Sequence, residues 1–321
     1  MARGPGAPRL RVGVSSCLLG REVRWDGGHK RDAYLTDVLG PYVEWVPVCP
    51  ELELGLGVPR EPIRLEGDAR APRLVAPTSG TDHTRAMHAW ARRRVAELAR
   101  LDLAGYVLKT DSPSCGMERV RVHGRAGTPS RDGVGLFARV LMDAMPLLPV
   151  EEEGRLRDPA RRENFLERVF AYARWKAFRA DRPTRAGLVR FHTVHKLLLQ
   201  AHAPGAVAPL GRVVAGAKAR PLGAVLDAYG RGFMAALRVP ATPGRHANVL
   251  EHMLGWVSKA LDAAEREEML SLIADHRRRL VPLLVPLTLM KHHVRRLGIA
   301  WLAEQVYLDP HPKELMLRNH A

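Results

Sequence analysis

Three cysteines are the residues of this 321-residue sequence with the most distinctive chemistry. Cys17, Cys49 and Cys115 each come shortly after an apolar run, in "RVGVSSC", "EWVPVC" and "YVLKTDSPSC". Three thiolates brought to one point suit a soft metal ion or an iron–sulfur cluster. The compact C-x-x-C spacing of zinc ribbons and ferredoxins is absent, so the spacing alone does not identify the metal.

Polar side chains next to two of the cysteines add groups that could move protons. Glu51 lies two residues after Cys49, and Ser112 and Ser114 lie three residues and one residue before Cys115. A carboxylate and a hydroxyl near a metal centre could serve proton transfer to and from substrate and water. Serine is also an ordinary turn former, so a purely local role stays open, above all for Ser114.

Three further residues are candidates for holding a substrate. Arg24 and Asp26 lie in "GREVRWDGGHKRD", a glycine-containing loop after Cys17 that could close over a small planar ligand. Lys109 lies at the end of the apolar run that precedes Cys115. A turn role is the open alternative for Asp26, because aspartate followed by glycine is typical of turns.

Residues 10–150 have the pattern of an α/β domain. Short runs rich in apolar and β-branched residues predict strands, and amphipathic stretches between them predict helices. The predicted strands are 10–16, 42–48, 104–110 and 146–152, and the predicted helices are about 31–39, 81–101 and 133–145. This alternation predicts a mainly parallel, Rossmann-like sheet. Ligands bind outside the carboxyl ends of such strands, where the three cysteines would converge.

The pattern changes after about residue 150, and no further strand is predicted. A charged stretch, "EEEGRLRDPARRENF", leads into helix-patterned sequence with Asp or Thr near proline at several starts. The predicted helices are 158–180, 184–202, 208–219, 222–238, 243–261, 262–278 and 285–307. The sequence therefore predicts an α/β domain over 1–152 followed by an all-α domain over 153–321.

The formal net charge of +16 is concentrated in the second half of the chain. Lys and Arg outnumber Asp and Glu by 22 to 17 over residues 1–150 and by 28 to 17 over residues 151–321. A surplus of this kind favours a polyanionic partner, with nucleic acid ahead of an anionic membrane, and solubility alone is the other explanation. No apolar run is long enough to cross a bilayer, and no secretory signal is visible, so we expect a cytoplasmic protein.

One helix of the second domain is rich in histidine. "RFHTVHKLLLQAH", residues 190–202, places His192, His195 and His202 on successive turns. The Glu and the i, i+4 histidine pair of known helical zinc motifs are missing. We therefore expect a polar face for RNA or for a domain interface ahead of a metal site.

Three stretches around the cysteines resemble the signature blocks of the TudS-type desulfidases: "VSSCLLGREVRWDG", "VPVCPELELGLGVPRE" and "KTDSPSCG". The resemblance covers roughly residues 10–150. It implies an enzyme that removes sulfur from thiolated uracil without net redox change. It also implies that Cys17, Cys49 and Cys115 hold a 4Fe–4S cluster, in which one iron has no protein ligand and binds the substrate sulfur.

The same resemblance implies roles for the neighbouring polar residues. By position in the motifs, Glu51 would transfer protons. Ser112 would position or activate the nucleophile, with Ser114 as the alternative.

The second half resembles the YbgA-like helical domain, over most of residues 160–320. The fusion of the two modules is similar to the tRNA 4-thiouridine desulfidases, in which the helical domain is thought to engage the RNA. The resemblance implies tRNA containing 4-thiouridine as the partner. Arg190, Lys196, Arg212 and Lys218 are our candidates for phosphate contacts.

Other functions remain open at the level of the sequence. The same site could act on free thiouracil or thiolated nucleosides. A different class is a nucleic-acid-binding protein whose cluster is structural or senses redox state. A zinc hydrolase would need a water or a fourth protein ligand on the metal, and it has the least support from the motifs.

Overall fold

A computed structural model describes residues 9–124 and 128–319. The chain divides between Arg157 and Asp158 into two compact units, each described below by itself. The sequence analysis placed the boundary five residues earlier, at the end of the last strand of the first unit. Within the described residues no helix is both long enough and apolar enough to span a membrane.

The described residues of the first unit, up to Arg157, form eight strands and three α-helices. The strands are β1 (Leu10–Ser15), β2 (Val43–Val48), β3 (Arg64–Glu66), β4 (Arg73–Val75), β5 (Gly105–Leu108), β6 (Val120–His123), β7 (Ser130–Gly133) and β8 (Val150–Glu152). The helices are α1 (Pro50–Glu53), α2 (Thr84–Leu98) and α3 (Leu136–Ala144). A short π-helical segment, Tyr34–Leu39, lies where the sequence predicted a helix over 31–39.

Four of the strands form a parallel sheet in the order β2-β1-β5-β8. These are the four predicted strands, and the mainly parallel sheet with helices is confirmed. The strand residues Val12, Val14, Tyr106 and Val107 are buried, as expected for a sheet covered on both faces. A Cβ at Gly13 would lie 2.1 Å from the Tyr106 ring, so only glycine lets β1 pack against that ring.

A second sheet of four short strands, in the order β4-β3-β6-β7, was not predicted. It is antiparallel except for the parallel pair β3 and β6. Each of these strands has only three or four residues, too few for an alternating pattern to stand out. The predicted helix over 133–145 is shorter in the structure because residues up to Gly133 belong to β7.

Within its described residues, the second unit, from Asp158, consists of helices and the segments that connect them, with no strand. Its helices are α4 (Pro159–Ala180), α5 (Arg185–His202), α6 (Pro204–Ala215), α7 (Leu222–Leu237), α8 (Pro243–Val257), α9 (Ala263–Arg277), α10 (Leu284–Arg296) and α11 (Ala300–Ala303). The all-α prediction is confirmed. The predicted single helix over 285–307 is wrong, because Gly298 adopts a φ of +64° and separates α10 from α11.

Side-chain caps fix several helix starts in this unit. The Asp158 carboxylate accepts the N–H groups of Ala160 and Arg161, and Asp262 forms a capping box with Glu265. The core is built around Trp175, whose ring contacts four other aromatic rings. These belong to Phe178, Phe191, Tyr229 and Phe233. The predicted helix starts near proline are confirmed.

The loop that carries Cys115 in the first unit is fixed by the start of α3. The carbonyl oxygens of Pro113, Ser114 and Gly116 accept the N–H groups of residues 135–138, at 2.8 to 3.2 Å. The loop therefore caps N–H groups that a helix start otherwise leaves without partners. A Cβ at Gly135 would lie 2.6 Å from the Ser114 carbonyl and 2.8 Å from the Cys115 nitrogen. Glycine is therefore required at this position.

We expect Gly135→Ala to destabilise the protein by about 1–3 kcal/mol, because the added methyl group must push the Cys115 loop away from α3. Urea unfolding of the full chain measures this. Gly223→Ala is the matched control, since its Cβ meets nothing within 4 Å, and it should be neutral or stabilising by up to about 1 kcal/mol. Equal unfolding midpoints for the two variants would show that the loop tolerates the methyl group.

Candidate active site

The three cysteines line one cavity of about 400 Å³ in the first unit. Cys17 lies in a 3₁₀ turn, Ser16–Leu19, directly after β1. Cys49 follows β2 and forms the N-cap of α1, and Cys115 lies in the loop after β5. These are the carboxyl ends of neighbouring parallel strands, so the sheet brings the thiols together in the way the sequence predicted.

Burial makes all three thiols weak acids when they are free. It raises the pKa of Cys17 to about 11, that of Cys49 above its usual range, and that of Cys115 well above its usual range. Neighbouring thiolates would also oppose ionisation of Cys17 and Cys115. Binding of a metal centre must therefore displace protons from these sulfurs.

The donor set fits an iron–sulfur cluster better than a single ion. The sulfurs are soft donors on one cavity wall. Within the part of the chain that the structure describes, the three sulfurs do not all lie within 4.8 Å of one another, as ligands of one ion would. A four-iron cluster is larger than one ion and suits sulfurs that are further apart.

Glu51 lines the same cavity from α1, and both of its carboxylate oxygens have partners. Oε1 accepts the hydroxyl proton of Ser114 at 3.0 Å. Oε2 accepts Nη2 of Arg60 at 2.5 Å and Nε at 3.1 Å. This ion pair is largely buried, with 15% of the Glu51 side chain and 5% of the Arg60 side chain exposed. The carboxylate is thus held in one orientation against the cavity.

Sequence reasoning missed Arg60. Besides Glu51, its guanidinium donates to the carbonyl oxygens of Gly57 at 2.8 Å and Val23 at 3.0 Å. Arg60 therefore joins the helix of Glu51 to the loop after Cys17. The available signal was an arginine inside the second cysteine block, "VPVCPELELGLGVPRE", but one basic residue in a turn-rich stretch is too common to single out.

The two candidate serines have different surroundings. Ser112 lines the cavity, and its Oγ accepts the N–H groups of Cys115 at 3.1 Å and Ser114 at 3.3 Å. Ser114 is fully buried behind the cavity and donates to Glu51. Ser112 is therefore placed to meet a substrate, and Ser114 is placed to orient the carboxylate.

Of the three candidates for holding a substrate, Arg24 and Lys109 line the cavity. Asp26 is not among the lining residues. Its carboxylate accepts the N–H of Gly28 at 3.1 Å and pairs with Arg24 at 3.4 Å, and the Gly28 N–H lowers its pKa. The structure thus gives Asp26 the turn role that the sequence left open.

Trp25 also lines the cavity, and the sequence analysis did not single it out. The residue is 44% exposed, an unusual state for a large aromatic side chain. Its main-chain carbonyl accepts the N–H of Arg60 at 2.9 Å, which fixes the backbone. An exposed indole at a cavity can stack on a planar base.

Carboxylates at the end of β8 hold both ends of the Cys115 loop. Glu153 accepts the N–H of Thr110 at 2.7 Å and pairs with Lys109 at 2.5 Å. Glu152 accepts the N–H of Met117 at 2.6 Å, and burial raises its pKa to about 7. Sequence analysis assigned no role to these residues, because an acidic run after a strand usually lies in solvent.

In the second unit, the four candidate RNA-contacting residues are exposed on helices α5 and α6 and the turn that follows them; they are Arg190, Lys196, Arg212 and Lys218. Arg190 pairs with Glu304 at 3.4 Å. Their contact with RNA stays a prediction.

The expected polar histidine face on α5 is wrong for two of its three histidines. His195 is buried, stacks on Phe191 with ring centroids 4.0 Å apart, and contacts the Phe191 carbonyl through Nδ1. His202 is buried against Glu167. His192 is half-buried beside the Tyr229 hydroxyl. The histidines of this helix therefore pack mainly in the interior of the unit and do not form a solvent-facing polar surface.

Comparison with known proteins divides the chain in two. The family model of the 2-thiouracil desulfurases matches residues 12–153, and the model of a family of unknown function, DUF1722, matches residues 196–312. The chain is 32% identical to the uncharacterized protein YbgA of Escherichia coli K12, over 49% of this chain and 94% of that protein. The chain belongs to the 2-thiouracil desulfurase and YbgA-like families. The resemblance drawn from the cysteine blocks is confirmed.

Two further known proteins are similar to this chain. The uncharacterized protein YbbK of Bacillus subtilis 168 is 30% identical over 41% of this chain and 89% of that protein. Among solved structures, the 4Fe–4S-dependent thiouracil desulfidase TudS is 30% identical, with 47% of this chain and 95% of that chain covered and a TM-score of 0.40. Family membership makes the first unit a desulfidase domain of the thiouracil class.

Replacing Glu152 of the desulfidase domain by glutamine should change how stability depends on pH. Because burial raises its pKa from 4.5 to about 7, the folded state holds this proton more tightly than the unfolded state. This group should therefore lower the stability of the wild type as the pH rises from about 4.5 to 7, and the variant should not show this loss. Glu152→Gln should gain about 1–2 kcal/mol on the wild type between pH 5 and pH 8.

Urea unfolding at the two pH values measures this difference. Glu153→Gln is the matched control, and it should be less stable than the wild type because it weakens the contacts to Lys109 and Thr110. A difference between Glu152→Gln and the wild type that stays constant with pH would contradict the assignment.

Proposed function

We propose that the protein is a 4Fe–4S-dependent, non-redox desulfidase that converts 4-thiouridine in tRNA to uridine and releases sulfide. The observation that carries the proposal is the convergence of three thiols and an arginine-bound carboxylate on one cavity of a desulfidase domain. The strongly basic helical half of the chain supports the choice of a tRNA substrate.

Cys17, Cys49 and Cys115 would hold the cluster through their thiolates. With three protein ligands, the cluster leaves one iron open and supplies a soft Lewis acid for the sulfur of a thiocarbonyl group. The thiol spacing and the soft donor set described above support this assignment.

The overall reaction exchanges sulfur for oxygen: a thiocarbonyl group and water give a carbonyl group and hydrogen sulfide. The electrons balance without an oxidant or reductant. Water must lose its protons as its oxygen bonds to carbon. Glu51 is a carboxylate of the cavity that can accept a proton, and Ser114 and Arg60 keep it oriented.

Other lining residues can position the pyrimidine. Ser112 and Lys109 present polar groups to the cavity, and Trp25 offers an exposed indole on which a base can stack. Ser112 remains the candidate for positioning the attacking water, because Ser114 already donates to Glu51.

The distribution of charge supports an RNA substrate over a free base. Residues 151–321 have 28 basic against 17 acidic side chains. Binding of a small neutral pyrimidine would not require this excess of positive charge. Phosphate groups would bind such a surface with a strong dependence on salt. The thiolated base would have to leave the stacked tRNA to reach the cavity.

We expect Glu51→Gln to retain the cluster and to lose desulfidation by about 10²–10⁴-fold, the usual contribution of a general acid or base. The glutamine can still accept the Arg60 N–H groups, so the loop should stay in place. Iron and sulfide quantitation after anaerobic purification, followed by loss of the 4-thiouridine absorbance band of tRNA, measures both properties.

Glu97→Gln is the control for this experiment, because Glu97 is an exposed glutamate of the same unit paired with Arg94. It should turn over like the wild type. A cluster-loaded Glu51→Gln variant with wild-type turnover would remove Glu51 from the mechanism. A cluster-loaded wild type that leaves both thiolated tRNA and free thiouracil untouched would refute the proposed function.

Removing three basic side chains tests the tRNA substrate. In Lys196→Ala/Arg212→Ala/Lys218→Ala we expect weaker tRNA binding. The slope of the logarithm of the binding constant against the logarithm of the salt concentration should become shallower by about 1 per lost phosphate contact. Turnover of free 4-thiouridine should be unchanged, because none of these residues lines the desulfidase cavity.

The charge-matched control removes three exposed basic residues elsewhere in the same unit, Lys259, Arg278 and Lys313. It should bind tRNA more tightly than the first triple variant. Wild-type turnover of free thiouracil together with no turnover of thiolated tRNA would favour the free base as substrate.

A further inference from the structure

A buried group of potential metal ligands lies in the helical unit. Glu163 and Glu167 are one turn apart on α4, and His311 follows α11. One ligand atom from each lies within 4.8 Å of the other two. The residues are 6%, 2% and 9% exposed, so these are not the solvated carboxylates common at protein surfaces.

Glu167 is held in place by two other buried side chains. Its Oε2 contacts Nε2 of His202 at 2.9 Å, and its Oε1 accepts Nη2 of Arg318 at 3.2 Å. Carboxylates that bind metal ions are commonly oriented by outer hydrogen bonds of this kind. These contacts leave the second lone pair of each oxygen available.

His311 presents a free lone pair to the same group. Its Nδ1 lies 3.1 Å from the carbonyl oxygen of Pro312. A carbonyl oxygen can only accept, so Nδ1 carries the proton and Nε2 carries the lone pair. Nε2 is buried and has no hydrogen-bond partner in the part of the chain that the structure describes. Metal-binding histidines show this arrangement, with the other ring nitrogen donating to a carbonyl.

Glu163 also has unused capacity. Its Oε1 has no hydrogen-bond partner within the described ranges, and Arg318 Nε lies 3.7 Å away, too far for a hydrogen bond. Arg318 thus lies beside two buried carboxyl groups and hydrogen-bonds to only one of them. A bound cation would give the free oxygen of Glu163 a partner.

We propose that Glu163, Glu167 and His311 bind a divalent first-row transition-metal ion in the helical unit. Two carboxylates and one imidazole suit Mn²⁺, Fe²⁺ or Zn²⁺, and three protein ligands leave coordination positions for water or a further ligand. Glu163 and Glu167 also line a cavity of about 340 Å³, which His202 and His246 line as well. The proposal is independent of the desulfidase site and of its cluster.

Mn²⁺ is the probe that separates this site from the cysteines, because thiolates prefer softer ions. Full-length protein is titrated with Mn²⁺, free ion is followed by electron paramagnetic resonance, and melting temperature is recorded with and without the ion. We expect one tightly bound Mn²⁺ per chain and a higher melting temperature. Zn²⁺ should displace the Mn²⁺, since affinity for such a site rises toward zinc.

Two ligand variants and one control decide the outcome. Glu163→Gln and His311→Gln should each weaken Mn²⁺ binding by at least about tenfold. His246→Gln, which changes a buried histidine of the same cavity outside the ligand set, should bind as the wild type does. If one ligand variant fails to fold, the other decides.

Failure of the wild type to bind Mn²⁺ would overturn the proposal, and so would binding that neither ligand substitution weakens. In either case the group would be an ion-pair network that fastens Arg318 to α4. Desulfidation by the wild type is measured separately, so failure of this proposal is distinct from failure of the proposed function.

Discussion

The position of the Cys115 thiol depends on how its loop is held against α3 and the end of β8. Carbonyl oxygens of its residues 113, 114 and 116 accept N–H groups at the start of α3. The Glu153 and Glu152 carboxylates accept the N–H groups of Thr110 and Met117. The other two cysteines follow their strands within two residues, so the sheet itself places them. Only Cys115 needs a fixed loop, and without it no three-thiol site would exist.

The sequence predicted the parallel sheet and the meeting of the cysteines, because a rule of topology connects them. Once three apolar runs are parallel neighbours, residues at their carboxyl ends share an edge whatever the details. The second sheet could not be predicted in this way. Its strands of three or four residues are held by pairing to each other, and such contacts are not visible as periodicity.

The sequence also could not predict the hydrogen-bond partners of the candidate catalytic residues. Glu51 and Ser114 are 63 residues apart, and nothing local shows that they share a hydrogen bond. Arg60 is only nine residues from Glu51, but one basic residue in a turn-rich stretch does not reveal its partner. In the helical unit the helix starts were predictable, since caps are local, but His195 and His202 were misjudged. Histidine at helical spacing does not reveal whether its partner is water or a buried carboxylate such as Glu167.

The two units share a chemical arrangement despite their different folds. Glu51 and Glu167 are each held at the edge of a cavity by a buried arginine, Arg60 in one unit and Arg318 in the other. Burying such a pair costs desolvation that its attraction often fails to repay, so these pairs are poor sources of stability. Apolar side chains would fill the same space at lower cost. Each pair instead keeps an oriented carboxylate beside a cavity, as the proposed proton transfer would require in one unit and the proposed metal binding would require in the other.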